Sequence, residues 1–599
     1  MTPRVKPFAY DVVLALGASR DLRERLPVIQ ETLEGRRLLA ATLNHRFYDL
    51  HDKNLIKGSI EAHQLDHVMF SMRPSSHRLI SAWNVADVEE FKDLSQVVFL
   101  LQLMGRYDIP TGIVDSRCMP ADRHEPVLVG TVEDQVVSFL GRVSARAGGA
   151  GNPKKQFPWL FSVEALLPRL RGRQLMSPRS FSGTPASQVY EYDDQQITPV
   201  EKGLFWVGFD PSFKQVPVDK PYPATKWTGL RTTSPAGRGL HEAALRYCTR
   251  CCLPETMEGI SFDEVGICVP CRSSEEKMHI DWSARRQTLN AIIDSVRSET
   301  YYDCMLPMSG GKDSAYQAHI LRKVFELTPL AVTHGQNWLS VVGRYNLENC
   351  LQQFDLDHLV FNMNRAVINR MARKSLAAIG DACWHCHIGA GTFPVQTALA
   401  WKIDLMCYGE SIAEADGRGS YHGRAEASLF YNLEVSAKVT AEDMADAATP
   451  ATELSPWMYP GDDALRQSGV RYIHLGDYFF WDEERQVEFV KRNYEWMEAV
   501  VENAYKGFKS VECVMAGVHD YANFIKRGIG RATVQASTDV RRGLLTREEG
   551  FELSKEFDTQ RPHALDFYLR LTGLSEQEFE HTLTDARAKS EFARKLKVV

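Results

Sequence analysis

Leu306-Pro307-Met308-Ser309-Gly310-Gly311-Lys312-Asp313-Ser314 is the stretch whose reading decides the fold. The residues before it, Tyr301 to Met308, are apolar enough for a buried strand, and Ala315 to Phe325 continues with helical spacing. A glycine turn therefore joins a strand to a helix. In that geometry glycines let the backbone approach a phosphate, and the free amides at the positive helix end favour anionic oxygens. Lys312 adds a mobile positive charge. The usual phosphate loop places a Gly five positions before its Gly-Lys and a Ser or Thr after it; here Asp313 follows Lys312 and no such Gly precedes Gly311, so the site is not of the Walker type.

The hexapeptide Ser309 to Ser314 resembles the pyrophosphate loop of the N-type ATP pyrophosphatases, which cleave ATP to AMP and pyrophosphate to adenylate a carbonyl or amide oxygen. The resemblance implies that Ser309, Gly310, Gly311, Lys312, Asp313 and Ser314 hold the phosphates, Lys312 neutralising charge and Asp313 positioning Mg2+. It also implies an α/β fold, a parallel sheet with helices on both faces like that of the adenine nucleotide alpha hydrolases. His334, at the end of the apparent strand Leu330–Thr333, and Glu410, after Leu405–Tyr408, stand where parallel sheets present ligand-contacting residues. His334 is therefore a candidate nucleotide contact and Glu410 a candidate catalytic group.

Cys248-x-x-Cys251 and Cys268-x-x-Cys271 have the two-knuckle spacing of a zinc ribbon, a closed four-thiolate site of structural kind. Cys252 reads as a bystander. A second group, Cys383-Trp384-His385-Cys386-His387, cannot aim all its ligands at one ion and would need further ligands, Cys304, Cys350 and Cys407 being nearest in sequence. Cys383 and Cys386 are taken as substrate- or metal-site residues, with an iron–sulfur cluster the less favoured alternative.

Composition sets the class. A chain of 599 residues with 44% hydrophobic and 25% charged residues calls for several globular domains. Its net charge of -7 argues against general nucleic-acid binding. Asp11 interrupts the first apolar residues, and no stretch reaches the ~18 uncharged apolar residues that span a bilayer, so the expectation is a cytoplasmic protein with no membrane partner. Its 12 cysteines then read as metal ligands and core thiols.

From Tyr247 to about Leu574 the chain resembles the N-acetyl sugar amidotransferases of bacterial surface-sugar biosynthesis. The segments that carry this are Cys248–Cys271, Met308–Ser314, Gly380–Gly389, Ile403–Glu410, Gly469–Val490 and Ala516–Gly550. The resemblance implies ATP-dependent conversion of an acetamido group into an amidine. A small-molecule acceptor carries the amide, and a separate glutaminase supplies ammonia, since no Gly-x-Cys-x-Gly nucleophile elbow is present. Where the family pattern has Asp after Gly-Arg-Ala-Thr, Val534 stands here. His519, Asp520, Lys526, Arg527 and Arg531 form a polar run able to serve as a phosphate site or as a solvated helix face. Two rival functions remain: sulfur transfer through Cys383 or Cys386, and a non-catalytic nucleotide-binding module.

The expected organisation is an N-terminal α/β domain over 1–147, with strands near Val12–Leu16 and Thr111–Val114 and helices near Leu22–Leu33, Val88–Tyr107 and Val132–Ala147. A linker or extended arm follows over 148–240, then the ribbon over 241–280, the ATP domain over 281–430, and a mostly helical region over 431–599 with helices at Glu484–Asn503, Arg547–Phe557 and Glu576–Lys597. No motif marks the first 240 residues, whose roles open at this point are acceptor binding, recruitment of the ammonia source and formation of a homodimer.

Overall fold

The computed structural model describes residues 6–182 and 245–589, apart from 18, 19, 49, 120–124, 149, 150, 258, 299, 336, 337, 412, 414–420 and 422–438. Most of the expected arm, with Phe205, Trp206 and Trp227, lies outside the described residues, as does the tail beyond Lys589.

The strands are β1 (Val12–Ala15), β2 (Leu38–Asn44), β3 (Asp66–Ser71), β4 (Thr111–Ile113), β5 (Val127–Leu128), β6 (Gln174–Met176), β7 (Cys304–Pro307), β8 (Pro329–His334), β9 (Asp357–Asn362), β10 (Leu405–Tyr408) and β11 (Arg471–His474). They form one sheet of 11 strands in the order β11-β10-β7-β8-β9-β3-β2-β1-β4-β6-β5. Pairing is parallel from β11 to β9 and again from β3 to β6, with antiparallel joints at β9–β3 and β6–β5. The fold is therefore α/β with a mostly parallel, mixed sheet.

Why the strands read as apolar runs is plain from the packing. Met305, Leu330 and Val332 enter a core with Phe99, Trp384 and Trp401, while Cys304, Leu306 and Ala331 enter another with Ala315, Leu347 and Leu351. Neighbouring residues of one strand thus serve opposite cores, as a parallel sheet covered by helices on both faces requires. Among the described residues no helix is long and apolar enough to cross a membrane.

Three features differ from the sequence reading. The N-terminal α/β region does not build a sheet of its own, because β3 and β9, both buried along nearly their whole length, close each other's apolar edge. The stretch expected to be mostly helical supplies β11, the outer strand beside β10. The helix expected over Glu484–Asn503 is Glu483–Tyr494; it stops at Glu495, whose φ of 54° is left-handed, and the chain turns back so that Trp496 reaches the glycine loop.

The β3–β9 joint is locked by charge. Asp357, fully buried, accepts from the Arg73 backbone at 2.8 Å and from its guanidinium at 2.6 and 3.0 Å. Tyr302 adds a hydroxyl at 2.9 Å. Removing one member of such a pair strands a buried charge. Asp357→Asn is expected to cost about 3–5 kcal/mol of stability, read as a large fall in the thermal midpoint; a fall within that of a surface substitution would mean the pair does not hold the halves together.

Candidate functional site

The site begins where the sheet changes direction. From β7 the chain moves to β8 on one side, while β10 lies on the other, so a crevice opens at the carboxyl ends of β7 and β10. The glycine loop fills that crevice, followed by the helix Lys312–His319. Gly310 has φ of 87°, and a Cβ there would meet the Gly343 carbonyl at 2.5 Å. No other residue fits both constraints. Trp496 Nε1 donates to the Gly310 carbonyl at 3.0 Å, the Gly311 amide donates to Ser309 Oγ at 3.3 Å, and Ser314 Oγ donates to the Gly311 carbonyl at 2.9 Å.

Lys312 is buried, with Nζ 2.5 Å from Asp313 Oδ2 and 3.2 Å from Glu483 Oε2. Burial opposes its charge, but Asp313, Glu483 and Glu410 outweigh that and hold the ammonium firmly charged. Glu483 also meets Lys509 and, at 3.7 Å, Arg542; against the cost of burial these cations keep its carboxyl well below the usual range. Glu410 stands differently. Burial first, and then the Asp313 carboxylate, push it up to about 7. Glu512, whose carboxylate lies over Gly311, is likewise raised, chiefly by burial. Asp313 Oδ1 is buried without a hydrogen-bond partner.

The loop thus carries more buried carboxylate than its cations neutralise. Among these carboxylates Asp313 Oδ1, beside Lys312, is the oxygen left without a donor. The free amides and Lys312 suit a polyphosphate.

The structure brings Ser309–Ser314 together with Glu410. It places His334 elsewhere: the ring is buried, its Nε2 accepts from Trp457 Nε1 at 2.9 Å, and it fills the space against Gly389 that a side chain there would take. Burial lowers its pKa to about 3, so it stands neutral. Cys304 and Cys407 lie side by side on β7 and β10, and Cys350 is buried under its own helix, Val341–Gln353. None of the three comes to Cys383 or Cys386.

Cys383 is buried at the start of the helix Trp384–Trp401, and its amide donates to Asp381 at 2.7 Å. Asp381 sits between His387 and His519, 3.7 Å from each; despite burial they hold its carboxyl well below the usual range. The thiols move the other way. Burial raises Cys383 far above its ordinary value and pushes Cys386 up to about 12, with Asp381 adding to both. Cys513 shares the electrostatic surroundings of Cys383 and Cys386, a neighbour the sequence spacing did not suggest.

The polar run 519–531 is spent on structure. Lys526 donates to the carbonyls of Ile379 and Gly380, and Arg531 pairs with Asp520 at 3.0 Å. The start of the Arg531–Arg541 helix, which includes Val534, is already capped: Asp558 accepts from the amides of Gly530, Ala532 and Thr533.

Cys248, Cys251, Cys268 and Cys271 are buried with their sulfurs all within 4.8 Å of one another. The amides of Arg250, Cys251 and Cys268 point at Cys248 Sγ at 3.3 to 3.5 Å, the pattern that supports thiolate charge. Four buried cysteines so placed fit a metal such as zinc. Arg547 ties the four-cysteine cluster to the helix Arg547–Asp558 through the carbonyls of Cys248 and Cys251, and Cys252, far from idle, donates to the Arg547 carbonyl at 3.4 Å.

A cleft of about 730 Å³ lies between the four-cysteine cluster and the C-terminal helices, with Glu275, Asp482 and Glu484 among its lining. Its walls include Arg250, Lys277, Arg485, Arg541 and Arg542, with Phe480 and Leu544 exposed beside them. Sequence reasoning missed this cleft and the charges of Glu483, Lys509, Glu512 and Arg542, because they converge only through the tertiary fold.

Residues 502–599 match the family model of the WbpG-like lipopolysaccharide biosynthesis proteins, C-terminal domain. That stretch supplies Lys509, Glu512 and Arg542 to the surroundings of the loop and Arg547 to the four-cysteine cluster. The match fits a sugar-modifying biosynthetic family. Over 109 residues, 18% of this chain, the sequence is 26% identical to an uncharacterized protein of Methanocaldococcus jannaschii, MJ1599, and spans 39% of that relative's length.

Two measurements check the site. Elemental analysis is expected to find one zinc per chain, and Cys268→Ser to lose it together with thermal stability; full stability without metal would remove the structural role. Glu410 keeps its proton to about pH 7 when folded and loses it near ~4.3 when unfolded. The folded state binds more protons in that window, so this group's contribution to stability falls as pH rises from about 4.3 to about 7 and is level above. Thermal melts of Glu410→Gln against the parent should show this difference growing across the window; parallel curves would refute it.

Proposed function

We propose that the chain is an ATP-dependent amidotransferase of the N-type ATP pyrophosphatase class that turns an acetamido-type amide into an amidine. The observation that carries this reading is the Ser309–Ser314 loop seated in the crevice between β7 and β10, with Lys312 buried among carboxylates that exceed the local cations.

An amide oxygen is a poor leaving group. It attacks the α-phosphorus of ATP, pyrophosphate departs, and the amide becomes an O-adenylyl imidate. Ammonia then adds to the imidate carbon and AMP leaves with the former amide oxygen, giving amidine, AMP and pyrophosphate. Lys312 and the loop amides hold the departing pyrophosphate. Mg2+ would supply charge neutralisation on the phosphates, with Asp313 the residue placed to hold it. Glu410, titrating near neutrality, is placed to exchange a proton with the incoming nitrogen.

In the cleft Arg250 and Arg485 are paired with Glu275 and Asp482, which leaves Arg541, whose Nη1 has no hydrogen-bond partner, to meet a phosphate-bearing handle on the acceptor such as a sugar nucleotide has, with Phe480 and Leu544 offering apolar cover. The ammonia source is a separate glutaminase. Sulfur transfer is disfavoured by the raised thiols of Cys383 and Cys386, since the thiolate is the nucleophile.

Incubating the protein with ATP, Mg2+, ammonium and nucleotide-linked acetamido sugars should release pyrophosphate and AMP only when an acceptor is present. Lys312→Ala should reduce that release by about 10²–10³-fold, the scale of losing one preorganised donor, with the chain still folded by circular dichroism. ATP binding without turnover across the acceptors would instead make the chain a nucleotide-binding module.

A further inference from the structure

The two parallel blocks of the sheet have the same internal order. β3-β2-β1-β4-β6 repeats β9-β8-β7-β10-β11 strand for strand. The registers agree: Val12 pairs with Leu38 as Cys304 pairs with Pro329, Leu39 with Asp66 as Leu330 with Asp357, Gly112 with Val13 as Met406 with Met305, and Thr111 with Gln174 as Leu405 with Arg471.

The sequence follows. LAAT at 39–42 and LDHVMFSM at 65–72 stand against LAVT at 330–333 and LDHLVFNM at 356–363, and Pro158-Trp159 against Pro456-Trp457. So do the bonds. Tyr10 donates to Asp66 at 2.7 Å as Tyr302 does to Asp357 at 2.9 Å, and Thr42 meets His67 as Thr333 meets His358.

Across the joint the symmetry is two-fold. Met69 faces Val360, and outward from them His67 faces Asn362 while Ser71 faces His358. The Arg73 amide donates to Asp357 at 2.8 Å, and its counterpart, the Asn364 amide, donates to Asp66 at 2.9 Å. The N-terminal half is a diverged copy of the loop-bearing half, standing where the second subunit of a symmetric dimer would stand.

The copy has its own crevice at the carboxyl ends of β1 and β4, and there the structure holds a cavity of about 170 Å³. Its lining includes Asp115, Asp93, Gln96, Tyr48, Phe47 and His45. The glycine pair of the phosphate loop is gone, although Arg20 stands in sequence where Lys312 does. Gly17 and Ala18 stand in sequence for Ser309 and Gly310, so the position that needs left-handed backbone in one half is alanine in the other. Glu410 is replaced by Ser116, which donates to Asp21, the counterpart of Asp313, at 2.5 Å; the repulsion that calls for a cation in one half is a hydrogen bond in the other.

The cations among the described residues that line it are matched to carboxylates, Lys92 with Glu89 at 2.7 Å and Arg117 with Asp115 at 3.2 Å and Asp93 at 3.5 Å. Asp115 is 8% exposed, yet its Oδ2 has no hydrogen-bond partner. A buried carboxylate oxygen of that kind asks for a donor. Gly17 keeps the entrance open, since a Cβ would lie 2.9 Å from the Tyr48 hydroxyl.

We infer that this crevice is a second ligand site, taking a single neutral, hydroxyl-rich ring: a monosaccharide, or the ribose end of a nucleoside. Its volume is close to the ~150 Å³ that admits benzene in an apolar cavity, so one ring fits and a nucleoside triphosphate does not. Carboxylates accept from hydroxyls and repel phosphates, and Phe47 and Tyr48 cover a ring face. Because β3 and β9 are antiparallel, the carboxyl ends of β1 and β4 lie at the opposite strand ends of the sheet from the loop. Its occupant is therefore an effector or separate ligand, not the acceptor, and the inference stands whichever reaction the loop performs.

Ligand-observed NMR on the full chain with N-acetylglucosamine, adenosine and, as the anionic control, glucose 6-phosphate tests this. Saturable binding of at least one neutral probe is expected, weakened at least about tenfold by Asp115→Asn, the scale of a hydrogen bond to a charged group, and kept by Lys312→Ala. A signal from the sugar alone or from adenosine alone identifies the source. If Asp115→Asn does not fold, Gln96→Leu takes its place. Binding of neither neutral probe, binding unaffected by the variant, or equal binding of glucose 6-phosphate would overturn the site.

Discussion

A buried lysine cannot stand alone. Lys312, sealed at the start of its helix, needs carboxylates within a few ångströms to keep its charge, and the partner it finds beyond Asp313 is Glu483, which comes from far along the chain. Glu483 in turn draws in Lys509 and Arg542. This relay of alternating charge pulls the C-terminal third of the protein back over the glycine loop. It explains why the helix begun at Glu483 ends at Tyr494, letting Trp496 hold the Gly310 carbonyl, and why Glu512 comes to lie over Gly311. The four-cysteine cluster follows as well, since Arg547 grips the carbonyls of Cys248 and Cys251.

The same crowding sets the chemistry. Two neighbouring carboxyls at one loop take opposite characters: Glu483, ringed by cations, stays ionised, while Glu410, facing Asp313 in a buried place, titrates near neutral pH. The loop thus combines one firmly charged lysine with one carboxyl poised near neutrality, the pairing on which the proposed phosphate chemistry rests.

What could be read from the chain was local. The strand–loop–helix around Ser309–Ser314 and the paired Cys-x-x-Cys knuckles show in sequence because each is encoded by residues close together, as do β1, β4 and the Val85–Tyr107 and Val129–Ala147 helices. Glu483, Lys509, Glu512 and Arg542 were not legible as site residues: each is an ordinary charged residue until the fold gathers it. β11 was hidden in the same way, a four-residue strand whose pairing with β10 is purely tertiary. His334 sits at a strand end where ligand contacts are expected, but Trp457 and Gly389 close round it. The repeat of one unit in both halves escaped notice because its loops diverged where the chemistry did, leaving only short matches such as LDHVMFSM and LDHLVFNM. Register and hydrogen bonding keep that record more faithfully than sequence does.

The account stands or falls on where the amide oxygen goes. An acetamido sugar nucleotide carrying 18O in its acetyl carbonyl, turned over with ATP, Mg2+ and ammonium, should yield AMP with one 18O in its phosphate and unlabelled pyrophosphate. Label in inorganic phosphate with ADP as coproduct, or label kept in the sugar product, would contradict adenylation of the amide.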